Sequence, residues 1–180
     1  MAETGLDRIT LRAGTVDDIP GFRALGEAVV PPTYEPIDPA YARRMLDEWW
    51  VPEVFEKSLA RNAHVVAERD GQVVGLANLG RTSQSYRDFE NVTADREVMW
   101  KLYVHPDHQG AGTGSRLLAA IEELVEGDVL WLEVVEGNQQ AYDFYRARGF
   151  VEVERVTDRE SPDDIWMRKQ LRPAPGEGPR

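Results

Sequence analysis

Three glycines at alternate positions, Gly110, Gly112 and Gly114, separate an apolar stretch, Leu102 to Val104, from an amphipathic run beginning at Ser115. A glycine-rich turn that opens a helix bares backbone N–H groups at the positive end of the helix dipole. With no side chains in the way, an anion can reach those groups, and phosphate is the usual guest. Thr113 and Ser115 add hydroxyl donors to the same turn, with Gln109 and Ala111 as its other members. The spacing therefore predicts a site for a phosphorylated cofactor. A nucleotide triphosphatase loop would need lysine and then Ser or Thr after its last glycine, but Gly114 is followed by Ser115 and Arg116. A dinucleotide fingerprint needs its third glycine three positions after the second, and Ser115 stands there instead.

Other side chains could do chemistry in weaker patterns. Glu97 and Glu133 lie in strand-like segments and could take a proton. His105 and His108 flank a Pro-Asp pair, but no third ligand accompanies them, so no metal site is expected. His64, inside a β-branched run, reads as structural. Arg116, Arg146 and Arg148 are basic groups for an outer phosphate or for a solvated surface. Tyr34, Glu35, Trp49, Trp50 and Tyr86 could enclose a cation by aromatic face or carboxylate, with packing as the alternative for each.

These residues need elements to hold them. Ile9 to Arg12 reads as a strand, followed by a helix that Thr15 caps, with Asp17 and Asp18 in its first turn, ending before Pro31-Pro32. Asp38-Pro39 starts a second helix, through Trp50, and Pro52 a third, through Arg61. Ala63 to Glu68 and Gln72 to Leu79 form a hairpin about Asp70-Gly71. Arg81 to Asp95 is a loop. A strand over Glu97 to Val104, a helix over Gly112 to Glu126 and a strand over Val129 to Val135 make one crossover unit. Asn138 caps a helix that runs through Arg148 and stops at Gly149. Two closing strands, Phe150 to Val156 and Ile165 to Lys169, pair antiparallel. One domain over 1–172 and a frayed tail over 173–180 are expected.

The 180-residue chain has no cysteine, which removes disulfides, thiolate metal sites and cysteine nucleophiles. A net charge of −11 argues against nucleic acid as a partner and mildly favours cationic small molecules. With no signal-like start and no apolar run of membrane-spanning length, the expected setting is the cytoplasm, without a membrane partner.

Gln109 to Gly114 resembles the pyrophosphate-binding pattern of the GNAT superfamily of N-acetyltransferases (Arg or Gln, two residues, Gly, one residue, Gly or Ala). The lead-in Leu102 to Pro106 resembles that family's strand before the turn. The later block, Leu132 to Val135, Asn138, Ala141, Phe144-Tyr145 and Gly149-Phe150, resembles its closing unit. The resemblance implies an α+β fold of α/β/α layers. Its central sheet would be mixed and mostly antiparallel, of about six to seven strands, with helices on both faces and one βαβ crossover. It implies acetyl-CoA as cofactor and direct attack of a primary amine on the thioester in a ternary complex. Leu102, Tyr103 and Val104 would hold the pantetheine arm, and a backbone amide near Val104 would polarise the thioester carbonyl. Gly110 to Ser115 would hold the pyrophosphate, and Asn138 and Ala141 would complete the contact. Tyr145 matches the family tyrosine that protonates the departing thiolate.

Many members carry a glutamate on the central strand, at the place held here by Val98. Glu97, one residue earlier, points the other way on a regular strand, which a β-bulge would reverse; it is a candidate base. Glu133 is another. Tyr34, Pro39 to Tyr41 and Trp49-Trp50 resemble a GNAT subgroup that acetylates polyamines and other small amines, so Tyr34, Glu35, Trp50, Tyr86 and Glu133 are the expected substrate contacts. The expected partners are a small-molecule amine and a second copy of the chain. A non-catalytic acyl-CoA sensor, or acetylation of a protein or peptide amine, is the alternative.

Overall fold

The computed structural model describes residues 8–82, 95–157 and 161–173. Strand β1 (Thr10–Ala13) leads into a short 3-10 turn, where the Asp18 carboxylate accepts the Thr15 N–H at 2.8 Å. Helix α1 (Ile19–Tyr34) follows. It does not stop before Pro31-Pro32, as the sequence suggests, but runs through both. Proline costs a helix one hydrogen bond and crowds the turn before it. Both prolines fall in the last turns, where the Glu35 N–H still reaches the Pro31 carbonyl at 3.0 Å. The added turn buries Tyr34 against Tyr103, their hydroxyls 2.9 Å apart.

Asp38 caps α2 (Pro39–Arg44), accepting from Ala40 and Tyr41 N–H at 2.8 and 3.0 Å. The helix passes into one π turn, Met45–Trp49, and α3 (Pro52–Leu59) completes this layer. The hairpin of β2 (Ala63–Arg69) and β3 (Gln72–Arg81) turns on Asp70 and Gly71, whose φ of 53° and 75° fit an Asp-Gly primed turn. Strand β4 (Glu97–Val104), helix α4 (Thr113–Leu124) and strand β5 (Val129–Val135) form the expected crossover. Helix α5 (Gln139–Arg146), β6 (Val151–Val156) and β7 (Asp164–Gln170) close the chain.

The seven strands form one sheet in the order β1-β2-β3-β4-β5-β7-β6. Its described pairings are antiparallel except β4 with β5. Helices α1 to α3 cover one face through Phe22, Leu25, Trp50 and Phe55. Helices α4 and α5 cover the other through Leu117, Ile121 and Tyr145, over Leu130, Leu132 and Met167. This is the mixed, mostly antiparallel α+β architecture expected. No described helix is long and apolar enough to cross a membrane.

Candidate active site

The one parallel junction of the described sheet is also where it comes apart. Strand β4 registers with β5 only at Val98–Trp131 and Met99–Leu132. On its other side β4 stays paired with β3 as far as Val104, with a bulge that leaves Trp100 opposite no residue. Past Met99 the peptide groups of β4 that face β5 have no strand to bond. Backbone groups left in this way need a partner. The opening is a cleft of about 1480 Å³ between Lys101–Val104 and Glu133–Val135. That exceeds the space of one drug-sized ligand.

The glycine turn closes one end. Gly110 and Gly112 have φ of 79° and 83°, a left-handed backbone that other residues adopt only with strain. A Cβ at either position would meet nothing within 4 Å, so the space over the turn is open to a ligand. The Gln109 side chain ties the turn back to the Val104 carbonyl at 2.9 Å. Thr113, Gly114 and Ser115 then present N–H groups of the first turn of α4. Arg148 borders the same end of the cleft, donating to Ser115 Oγ at 2.6 Å with its guanidinium 3.5 Å from the Phe144 ring centre. Of the other two arginines, Arg116 donates to the Ile9 carbonyl at 3.0 Å and Arg146 is exposed; neither borders the cleft.

Leu102, Tyr103, Val104, Gln109, Gly110, Thr113, Gly114, Ser115, Asn138, Ala141 and Tyr145 all border the cleft, while Ala111 sits exposed in the turn, away from its wall. The Asn138 side chain accepts the Ala141 N–H at 3.2 Å, capping α5, and bonds the Tyr34 hydroxyl. Tyr34 in turn meets Tyr103, so a polar chain links α1, β4 and the start of α5 across the cleft floor. Tyr145 is buried between Phe144 and Phe150. Burial, with Tyr34 nearby, raises its hydroxyl well above the usual tyrosine range. It stays protonated and can donate.

The other expected residues fall in different places. The bulge at Trp100 does reverse the parity of β4, but this sends Glu97 toward the end of α4, outside the cleft. There its carboxylate accepts the Glu126 and Gly127 N–H groups at 3.0 and 2.7 Å and lies 3.7 Å from Arg81. Glu97 is a capping residue, not a base in the cleft. Trp50 is wholly buried: a Cβ on Gly26 would stand 2.3 Å from its ring, so the indole fills a notch in α1. Glu35 is exposed beyond the C-terminus of α1 and borders no part of the cleft. Tyr86 lies outside the described residues. Tyr34 and Glu133 do border the cleft. His105 and His108 stay in the turn after β4, rings 5.7 Å apart. His64 is buried, its Nδ1 3.1 Å from the Asn62 carbonyl and its Nε2 3.2 Å from Ser58 Oγ.

The α1 side of the cleft joins Tyr41, Trp49 and Glu133 to two groups the sequence did not single out, Asp164 and Lys101. Tyr41 and Trp49 meet edge to face at 5.7 Å. Glu133 and Asp164 on β5 and β7 both act on Tyr41, whose hydroxyl is raised mainly by burial. Lys101, on β4, has its Nζ 5.3 Å from the Trp50 ring centre, and burial alone lowers its amine to about 8. A lysine alternating with Trp100 and Leu102 beside the glycine motif was the available signal.

Comparison with known proteins agrees with this geometry. Residues 23–150 match the acetyltransferase (GNAT) family. The N-alpha-acetyltransferase RimI of Mycobacterium tuberculosis is 34% identical over 112 residues, covering 59% of this chain and 65% of that protein. The L-amino acid N-acyltransferase MnaT of Escherichia coli is 31% identical over 98 residues, covering 53% and 54%. The chain thus spans less than two thirds of either relative. The crystal structure of PaiA N-acetyltransferase from Thermoplasma acidophilum, in complex with coenzyme A, superposes with a TM-score of 0.74 at 19% identity, covering 91% of this chain and 99% of that one.

Proposed function

Because the chain belongs to the acetyltransferase (GNAT) family, we propose that it transfers the acetyl group of acetyl-CoA to a primary amine of a small molecule. The observation that carries this reading is the parting of β4 from β5 after Met99, which leaves an unpaired strand edge leading into a glycine cradle at a helix N-terminus. An extended, diphosphate-bearing ligand fits these donors. Open space over Gly110 and Gly112 admits the diphosphate, and the free edge of β4 matches an amide-bearing arm. When bound, acetyl-CoA supplies an acyl group activated as a thioester.

The remaining work falls to the chain. N–H groups of Gly110 to Ser115 hold the diphosphate with charge-assisted bonds strengthened by the dipole of α4. Arg148, beside Ser115, adds positive charge there. The β4 edge fixes the arm and aims an N–H at the carbonyl that is attacked. Tyr145 gives its proton to the departing sulfur. On the α1 side, Glu133 and Asp164 receive the acceptor's ammonium proton, directly or through water, and Tyr41 and Trp49 wall the acceptor. The name of the Escherichia coli relative supports a small-molecule acceptor.

The test pairs calorimetry with thiol release. Saturable binding of acetyl-CoA with thiol release dependent on an added amine is expected. Binding without release on any amine identifies an acyl-CoA sensor instead. Release only with peptides carrying a free N-terminus would move the acceptor to proteins. A cytoplasmic setting and self-association complete the proposal; sedimentation at micromolar concentration tests the latter.

A further inference from the structure

Several of the cations described in this acidic chain meet carboxylates. Arg12 pairs with Asp18 and Glu68, Arg81 with Asp95, and Lys169 with Glu122. Three described cations on the cleft wall meet no described carboxylate: Arg148 at the glycine-turn end, bonded to Ser115 and the Phe144 carbonyl, and Lys101 and Arg96 toward the α1 side. Lys101 makes no ion pair and no hydrogen bond among the described residues; its ammonium lies over the face of Trp50, and its charge also acts on His64 two strands away. Its cross-strand neighbour Asn78 does not engage it, for the buried Asn78 Oδ1 is itself without a partner. Arg96, at the mouth of the same wall, lies 4.1 Å over Trp131 and 5.4 Å over Trp166, also with no described carboxylate.

Lys101 is half-buried in the cleft wall; an ammonium drawn out of water without a counter-charge is costly, and groups perturbed in this way cluster at functional sites. Across the cleft, Glu133 and Asp164 form an acidic wall beside Tyr41. The acceptor half is therefore bipolar, cationic along β4 and anionic along β5 and β7. A polyamine would bring further positive charge against Lys101. A peptide amine would offer it a neutral amide. A small zwitterion matches both walls.

We infer that the acceptor is an amine that also bears a carboxylate, of the α-amino acid class, and that Lys101 is the residue that reads the carboxylate. The ammonium nitrogen then lies toward Glu133 and Asp164, and Arg96 guides the anion at the entrance. This rests on the acetyl-transfer reading above, and its test separates the two.

The experiment measures thiol release at pH 7 with matched acceptors: L-methionine, L-methioninamide and 3-(methylthio)propylamine, then L-phenylalanine with its amide and phenethylamine, beside spermidine and a short peptide. The expected result is a kcat/KM for each acid about 10- to 100-fold above that for its amide, the value of one charge-assisted bond. In Lys101→Met the acid-to-amide ratio falls toward one, and Lys101→Arg restores part of it. Equal or better use of the amides, the diamine or the peptide by the unaltered protein overturns the inference. So does a preference that survives in Lys101→Met. If no amine is acetylated although coenzyme A binds, the acetyl-transfer reading fails. Calorimetry of the same compounds on the coenzyme A complex then decides: acid-selective binding lost in Lys101→Met supports the carboxylate site, and its absence refutes it.

Discussion

Replacing Lys101 with methionine should make the protein more stable, by an amount the structure sets. The amine titrates at about 8 instead of 10.5 because burial disfavours its charged form and no described carboxylate offsets this. At about 1.4 kcal/mol per pH unit, holding it charged at pH 7 costs the fold about 3 kcal/mol. Methionine keeps the length and apolar stem without the charge. It loses the contact with the Trp50 ring, worth about 1 kcal/mol, and cleft water softens the burial cost. The expected gain at pH 7 is about 1–2 kcal/mol.

The pH dependence carries the diagnosis. Between about 8 and 10.5 the unfolded chain holds a proton on Lys101 that the folded chain has released. Stability of the unaltered protein therefore rises with pH across that window relative to the variant. The advantage of Lys101→Met should shrink by about 2 kcal/mol from pH 7 to pH 9.5. Urea unfolding of both proteins without ligand, at the two pH values, measures this directly. A variant no more stable at pH 7, or a gain unchanged at pH 9.5, would refute the claim that Lys101 is a desolvated, uncompensated cation.

Three further outcomes are expected. Tyr145→Phe should lower kcat about 100-fold, the scale of a lost general acid, while the acetyl-CoA dissociation constant measured by calorimetry moves little; unchanged turnover would remove Tyr145 from proton transfer. Gly112→Ala forces a side chain into a backbone with φ of 83° at the head of α4, and should weaken coenzyme A binding about 10-fold, at a cost of about 1–2 kcal/mol in unfolding. Glu97→Ala strips the acceptor from two turn N–H groups and should destabilise the fold by about 1–3 kcal/mol in urea, with kcat within a factor of two of the unaltered enzyme; a large fall in kcat alone would return Glu97 to the chemistry.

Features set by neighbours in the chain could be read from the sequence. The glycine cradle, the Asp38 and Asn138 caps, the Asp70-Gly71 turn and the crossover from Glu97 to Val135 each depend on a few consecutive residues, and those residues carry their own conformational preference. Tertiary contacts decided the rest. Pro31-Pro32 failed to end α1 because a partner for Tyr34 waits on β4. Trp50 went inward because Gly26 leaves a notch its own size. Glu97 was lost to turn amides 29 and 30 residues away, on the far side of a bulge that no pattern marks. Lys101 gained its character from the fold around it, where no described carboxylate meets its ammonium. Local propensity travels with the residue; solvation and charge balance belong to the assembled fold.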